Sequence, residues 1–189
     1  MTKICILGGS FDPPHMGHLW MARLLKEQFS FDVVSLLPCS DKAAVMWGKT
    51  LTDGEKRLLM CYQAVKDFYD VTVEDADIRH DFIYTYETVD FLRQKYPAIH
   101  QIWWAVGSDW DHTTFKNFEQ LQKQVAFVRI ERPGHINDIP VGMSFTPEIQ
   151  FLMSSSDIRK RIRENKDVTG LMPHKVADYA LSGGFYVKT

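Results

Sequence analysis

The chain opens on a short apolar run, Lys3 to Leu7, that stops at Gly8-Gly9. A run this short, bounded by turn residues, predicts a buried β-strand. The period then changes. Leu19, Ala22, Leu25 and Phe29 fall at helical spacing, which predicts a helix over 18–29. Asp32 to Leu37 predicts a second strand, stopped by Pro38. A helix follows over 53–68, and Thr52 and Glu55 have the spacing of a capping box at its start. Val71 to Glu74 is a short strand and Tyr86 to Lys95 a helix ended before Pro97. Gln101 to Val106 and Val125 to Ile130 predict two further strands, ended by Gly107 and by Arg132-Pro133-Gly134. Ile149 to Leu152 predicts a last strand. Ser155 to Glu164 and Pro173 to Ser182 predict terminal helices. Strands alternating with helices imply an α/β fold: a doubly wound parallel sheet with helices on both faces and a small C-terminal helical portion. No repeat or low-complexity linker divides the 189 residues, so a single domain over 1–189 is expected. In such sheets ligands bind beyond the carboxyl ends of the strands.

Charge and composition narrow the partners. The net charge of −2 supplies no broad basic field, so no nucleic acid and no anionic membrane is expected as partner. An anionic ligand must be held by local donors. Cys5, Cys39 and Cys61 are far apart and odd in number, which suits buried thiols in a reducing compartment better than a zinc knuckle or a disulfide framework. The first apolar run is too short for a signal-peptide core, and no stretch approaches the roughly 20 apolar residues of a membrane span. The expected location is the cytoplasm. A homo-oligomer is compatible with the sequence.

The segment Gly8-Gly9-Ser10-Phe11-Asp12-Pro13-Pro14-His15-Met16-Gly17-His18 follows the first strand and enters the first helix. Glycines there let the backbone turn and approach a ligand closely, and the prolines stiffen the turn. Helix N-terminal amides favour phosphate. Two imidazoles three residues apart add donors, and positive charge if protonated, where charge builds up in a transition state. Neither standard nucleotide loop is present. Gly-x-Gly-x-x-Gly is absent, and Gly48-Lys49-Thr50 lacks the first glycine of a P-loop because residue 43 is Ala. The segment resembles the Gly-x-Phe-Asp-Pro-x-His-x-Gly-His signature of the HxGH nucleotidyltransferases. That resemblance implies a Rossmann-like fold binding a nucleoside triphosphate at this loop. Gly8, Gly9, Ser10, Phe11, His15, Gly17 and His18 are then expected at the ATP, with His15 and His18 catalytic.

Met153-Ser154-Ser155-Ser156-Asp157-Ile158-Arg159 offers hydroxyls at a helix start, suited to capping or to phosphate. It is similar to the family's Ile-Ser-Ser-Thr-x-Ile-Arg signature, with Met153 for Ile and Ser156 for Thr. By that resemblance Ser155, Ser156 and Arg159 contact the ATP phosphates, and Arg159 joins the catalytic set. Lys160, Arg161 and Arg163 read as a solvated basic face.

Three further segments resemble nicotinate-mononucleotide adenylyltransferases. Tyr84-Thr85-Tyr86-Glu87-Thr88 matches their Ser-Tyr-Thr-x-x-Thr, with Ile83 for the Ser. Gly107-Ser108-Asp109 matches Gly-x-Asp, and Arg132-Pro133-Gly134 matches Arg-Pro-Gly. The resemblance implies acceptor contacts at Tyr84, Thr85 and Asp109, and ATP contacts at Gly107, Asp109 and Arg132. Thr85 and Asp109 could equally cap helices. Lys42 and Lys49 compete for the phosphate-side lysine. Trp47-Gly48-Lys49 looks like the family's Phe-Gly-Lys and favours Lys49. One departure stands out: the family's ring-stacking Trp falls at Asn117, with Phe115, Phe118 or Trp110 as substitutes.

The reaction so implied is in-line attack of a pyridine mononucleotide's phosphate on the α-phosphorus of ATP. Mg²⁺ is expected as cofactor, carried by ATP rather than caged by the protein. Phosphopantetheine adenylyltransferases, cytidylyltransferases and a silent nucleotide-binding protein are the alternatives. His15, Pro13 and the paired histidines respectively speak against them.

Overall fold

In the computed structural model, residues 2–108, 115–131, 144–146 and 153–187 are described. Six parallel strands form one sheet in the order β3-β2-β1-β4-β5-β6. They are β1 (Lys3–Gly9), β2 (Val33–Pro38), β3 (Val71–Val73), β4 (Gln101–Gly107), β5 (Ala126–Ile130) and β6 (Ser144–Phe145). The chain runs outward from β1 to β3, then crosses back to lay β4 on the other side of β1. That reversal opens a crevice at the carboxyl ends of β1 and β4, where doubly wound sheets bind ligands.

Alternation along β1 assigns its residues to two layers. Cys5 and Leu7 join one apolar cluster, Ile4 and Ile6 the other. The first cluster takes Leu19 and Leu25 from α1 (Met16–Phe29), Met60 and Cys61 from α3 (Gly54–Val65), Ile158 and Ile162 from α7 (Ser155–Arg163), and Val176 and Ala180 from α8 (His174–Ser182). The second takes Val89 and Leu92 from α5 (Thr85–Lys95) and Leu121 from α6 (Phe118–Gln124). Two short helices, α2 (Asp41–Met46) and α4 (Ala76–His80), complete the described set.

Several expectations shift. Helix α1 begins two residues earlier than the expected start at 18, because His15 caps it. The capping box expected at Thr52 and Glu55 does not form. Asp53 is the N-cap, its Oδ1 accepting from the Lys56 amide at 3.3 Å, while the Thr52 amide donates to Asp12. Thr85 does not cap α5 but is its first residue, and Glu87 Oε2 takes the Ile83 and Tyr84 amides at 2.9 and 2.8 Å. Strand β6 was not legible in the pattern. The strand expected over 149–152 lies outside the described residues.

Arg57 sits on α3 with no solvent exposure. Its guanidinium donates to the carbonyls of Thr52 (2.7 Å), Ser10 (3.0 Å) and Cys39 (2.8 Å) and to Asp41 Oδ1 (2.8 Å). One cation thereby ties the loops after β1 and β2 to the start of α3. Arg57→Leu leaves these acceptors without their donor. The expected cost is about 3–5 kcal/mol, read as a lower urea midpoint. An unchanged midpoint would show that the loops hold without it.

Candidate active site

A cavity of about 860 Å³ opens at the carboxyl ends of β1 and β4. Gly8, Gly9 and Ser10 form part of its wall. A Cβ on Gly9 would lie 3.1 Å from the Phe11 ring, so any larger residue there would need that ring to shift. Phe11 itself adopts φ 48° and is buried, with its ring edge-on to His18 at 4.8 Å between centroids. It reaches the cavity as a packed wall.

The two histidines are built into the helix entrance. His15 Nδ1 accepts from the Gly17 amide at 3.2 Å, and His18 Nδ1 accepts from the His15 amide at 3.1 Å. Their rings lie 3.7 Å apart at 30°. An Nδ1 that accepts carries no proton, so each ring holds its proton on Nε2 and is a neutral donor. Both rings line the cavity. Gly17 does not. It is buried, and its amide supports His15 instead.

Helix α7 brings the second segment to the same wall. Ser154 is the N-cap: its Oγ accepts from the Asp157 amide, and Asp157 Oδ2 takes the Ser154 amide in return at 2.9 Å. The Ser154 hydroxyl, donating to Asp157 Oδ2 at 2.6 Å, and the Ser154 amide hold the Asp157 carboxyl below its ordinary value. The capping role thus falls on Ser154 and leaves Ser155 and Ser156 on the cavity wall with Arg159. Ser155 Oγ donates to the Pro13 carbonyl at 2.8 Å. Arg159 donates to the Asp12 carbonyl at 2.6 Å and to Ser156 Oγ at 3.1 Å. Two segments some 140 residues apart are therefore laced together through main-chain oxygens of the first loop.

The cavity continues to Ile83, Tyr84 and Thr85 at the start of α5, and Gly107 ends the wall along β4. Of the two competing lysines, Lys49 lines the cavity. Lys42 is paired with Asp81 at 2.9 Å outside it. Asn117 takes φ 61° as the N-cap of α6 and is not on the wall. Phe115 is on the wall, its ring anchored edge-on against Phe127 at 5.8 Å. Lys116 Nζ stands 4.4 Å above the Tyr84 ring. Asp109, Trp110 and Arg132 lie outside the described residues.

Residues 6–161 match the family model described as cytidylyltransferase-like. A protein of Exiguobacterium sibiricum called a probable nicotinate-nucleotide adenylyltransferase is 35% identical over 92% of this chain and 93% of its own. A Bacillus mycoides protein of the same name is 34% identical over 98% and 99%. This chain belongs to the cytidylyltransferase-like family and, within it, to the nicotinate-nucleotide adenylyltransferases. Solved structures share the fold. A Plasmodium falciparum nicotinic acid mononucleotide adenylyltransferase complexed with NaAD superposes with a TM-score of 0.77 at 21% identity, over 98% of each chain. A putative nicotinate-nucleotide adenylyltransferase from Vibrio parahaemolyticus gives 0.72 at 22%, over 100% of this chain and 98% of its own.

For a nicotinate-nucleotide adenylyltransferase read from its signatures, three supporting residues were not foreseen. Asp12 was seen only as part of the motif, yet its carboxylate takes the Thr52 amide at 3.1 Å and the Tyr186 hydroxyl at 2.7 Å. Tyr186 carried no signal at all. Burial, with Asp12 beside it, pushes its phenol up. Arg57 was not singled out within the helix expected over 53–68. None of these has a periodicity or spacing that marks it.

The thiols give a direct check. Burial pushes Cys5 and Cys61 far up from the ordinary thiol value. Burial also raises Cys39, but Arg57 and Lys49 pull against it, and Cys39 lines the cavity. A disulfide reagent applied to the native protein is expected to titrate Cys39 alone, more slowly when ATP is present. Rapid reaction of all three would contradict this packing.

Proposed function

We propose that the protein transfers AMP from ATP to nicotinate mononucleotide, with nicotinamide mononucleotide as a second acceptor, as one nucleotidyltransferase domain over residues 1–189. The product is the dinucleotide of NAD biosynthesis, and pyrophosphate leaves. The observation that carries this reading is convergence. His15, His18, Ser155, Ser156 and Arg159 face one cavity that also reaches Tyr84 and Thr85.

An oxygen of the acceptor's phosphate attacks the α-phosphorus in line. The bond from that phosphorus to the bridging oxygen breaks, and its electron pair departs with pyrophosphate. No covalent intermediate on the protein is needed, so catalysis is positioning and electrostatics. The Nε2–H groups of His15 and His18 would donate to α-phosphate oxygens as charge gathers there. Ser155, Ser156 and the N-terminus of α7 would hold the β- and γ-phosphates, with Arg159 neutralising the leaving group. Gly107, Asp109 and Arg132 would flank the adenosine, and Lys49, Tyr84, Thr85, Asp109 and Trp110 the acceptor.

A divalent cation, Mg²⁺ by its chemistry with phosphates, would be held by the triphosphate oxygens and supply charge neutralisation there. Among the described residues, no three His, Cys, Asp or Glu side chains are grouped to hold a metal. Nor, among them, is any helix long and apolar enough to cross a membrane.

The deciding assay is pyrophosphate release with ATP, Mg²⁺ and a panel of nicotinate mononucleotide, nicotinamide mononucleotide and phosphopantetheine. Release with a pyridine mononucleotide is expected, and release with none points to a silent nucleotide-binding protein or to an acceptor outside the panel. His18→Ala should lower kcat/KM by about 10²-fold or more, roughly 2.7 kcal/mol. Near-normal turnover in a folded variant would sink that role. Arg159→Ala should chiefly raise the KM for ATP. Unchanged ATP kinetics would count against its place at the phosphates.

A further inference from the structure

Asp77 lines the same cavity and has no part in the transfer just described. It stands on α4, and its Oδ1 accepts from Thr88 Oγ1 of α5 at 2.6 Å. Its main chain is held as well, its carbonyl taking the Phe82 amide at 3.1 Å. Thr88 lies about one turn beyond Thr85, so the two share a face of α5. Asp77 is therefore a carboxyl group on the cavity wall, bonded to α5 one turn beyond Thr85, a residue proposed to contact the acceptor.

The charges around it are acidic. Glu87 approaches from α5 and Glu74 from the segment after β3. Glu74 is answered by Lys95 at 3.0 Å, and Glu87 by the Ile83 and Tyr84 amides. The Cys39 thiol, on the loop after β2, is within reach of the charge on Asp77; the cations Arg57 and Lys49 act on that thiol. Lys116, also on the cavity wall, stands over Tyr84. Among the described residues no cation pairs with Asp77.

We propose that Asp77 sets the choice between the acid and the amide form of the acceptor, an inference that rests on the adenylyltransferase reading above. An ionised carboxylate accepts a hydrogen bond from a carboxamide N–H and repels a second carboxylate. A protonated Asp77 does the reverse for an acid, donating its proton to the ligand's carboxylate. Burial raises the Asp77 carboxyl to about 7, with Glu87 and Glu74 adding to the rise and the Thr88 hydrogen bond opposing it. The group is thus neutral below that pH and charged above it. Nicotinate mononucleotide is favoured on the acidic side and nicotinamide mononucleotide on the alkaline side.

The test is the ratio of kcat/KM for the amide to that for the acid, followed from about pH 6 to about pH 8. Effects of pH common to both acceptors cancel in the ratio. The ratio should climb about tenfold or more across that range. In Asp77→Asn, which keeps an oxygen for Thr88, it should be flat, with use of the acid at about pH 8 raised by a similar factor. In Thr88→Val, which removes the bond that lowers the Asp77 carboxyl, the climb should move to higher pH. A flat ratio in the unaltered protein overturns the proposal, as does a slope that survives in Asp77→Asn or fails to move in Thr88→Val. Turnover with neither acceptor is a different outcome, since it removes the adenylyltransferase reading itself.

Discussion

The site depends first on a charge buried where no carboxylate fully answers it. Arg57 is inaccessible to solvent, while Asp41, its acidic partner, is more than half exposed. Three further guanidinium N–H groups go to carbonyl oxygens and another to Cys39 Sγ, so the charge is solvated by the ends of the loops themselves. That constraint fixes geometry: a planar fork reaches those oxygens only when the loops after β1 and β2 and the start of α3 take one relative position. The cavity wall is built from those same loops.

On this frame the phosphate side is assembled by a second set of main-chain contacts. Arg159 and Ser155 reach the carbonyls of Asp12 and Pro13, while Asp12's carboxylate takes Thr52 and Tyr186. The histidine pair follows the same logic, spending each Nδ1 on the local turn. Rings held in this way need no reorientation when a phosphate arrives, which is the preorganisation that electrostatic catalysis requires.

Much of this was legible in the sequence because its signals are local. Strand β1 and helix α1 declare themselves by period, and the glycine loop by composition. What escaped depends on competition between neighbours. Gly8 and Gly9 read as a stop, yet glycine keeps its amide and carbonyl, so β1 stays paired with β2 through Gly9. Thr52 looked like a cap until Asp12 claimed its amide and Asp53 took the role. Helix α2 is too short to show a period. It exists because Ser40 caps it while also donating to the Phe82 carbonyl. The family signatures supplied Tyr84 and Thr85 as acceptor candidates, but Asp77 lies outside every signature and joins them only through a side-chain contact between two helices.

The hydroxyl of Tyr186 on the carboxylate of Asp12 joins residues 174 apart in the chain. During synthesis the glycine loop is therefore made 174 residues ahead of the hydroxyl that braces it. The serines and arginine of α7 arrive only a little sooner. Until those residues are made, a nascent chain on the ribosome carries the signature of the site without the bonds that give it shape.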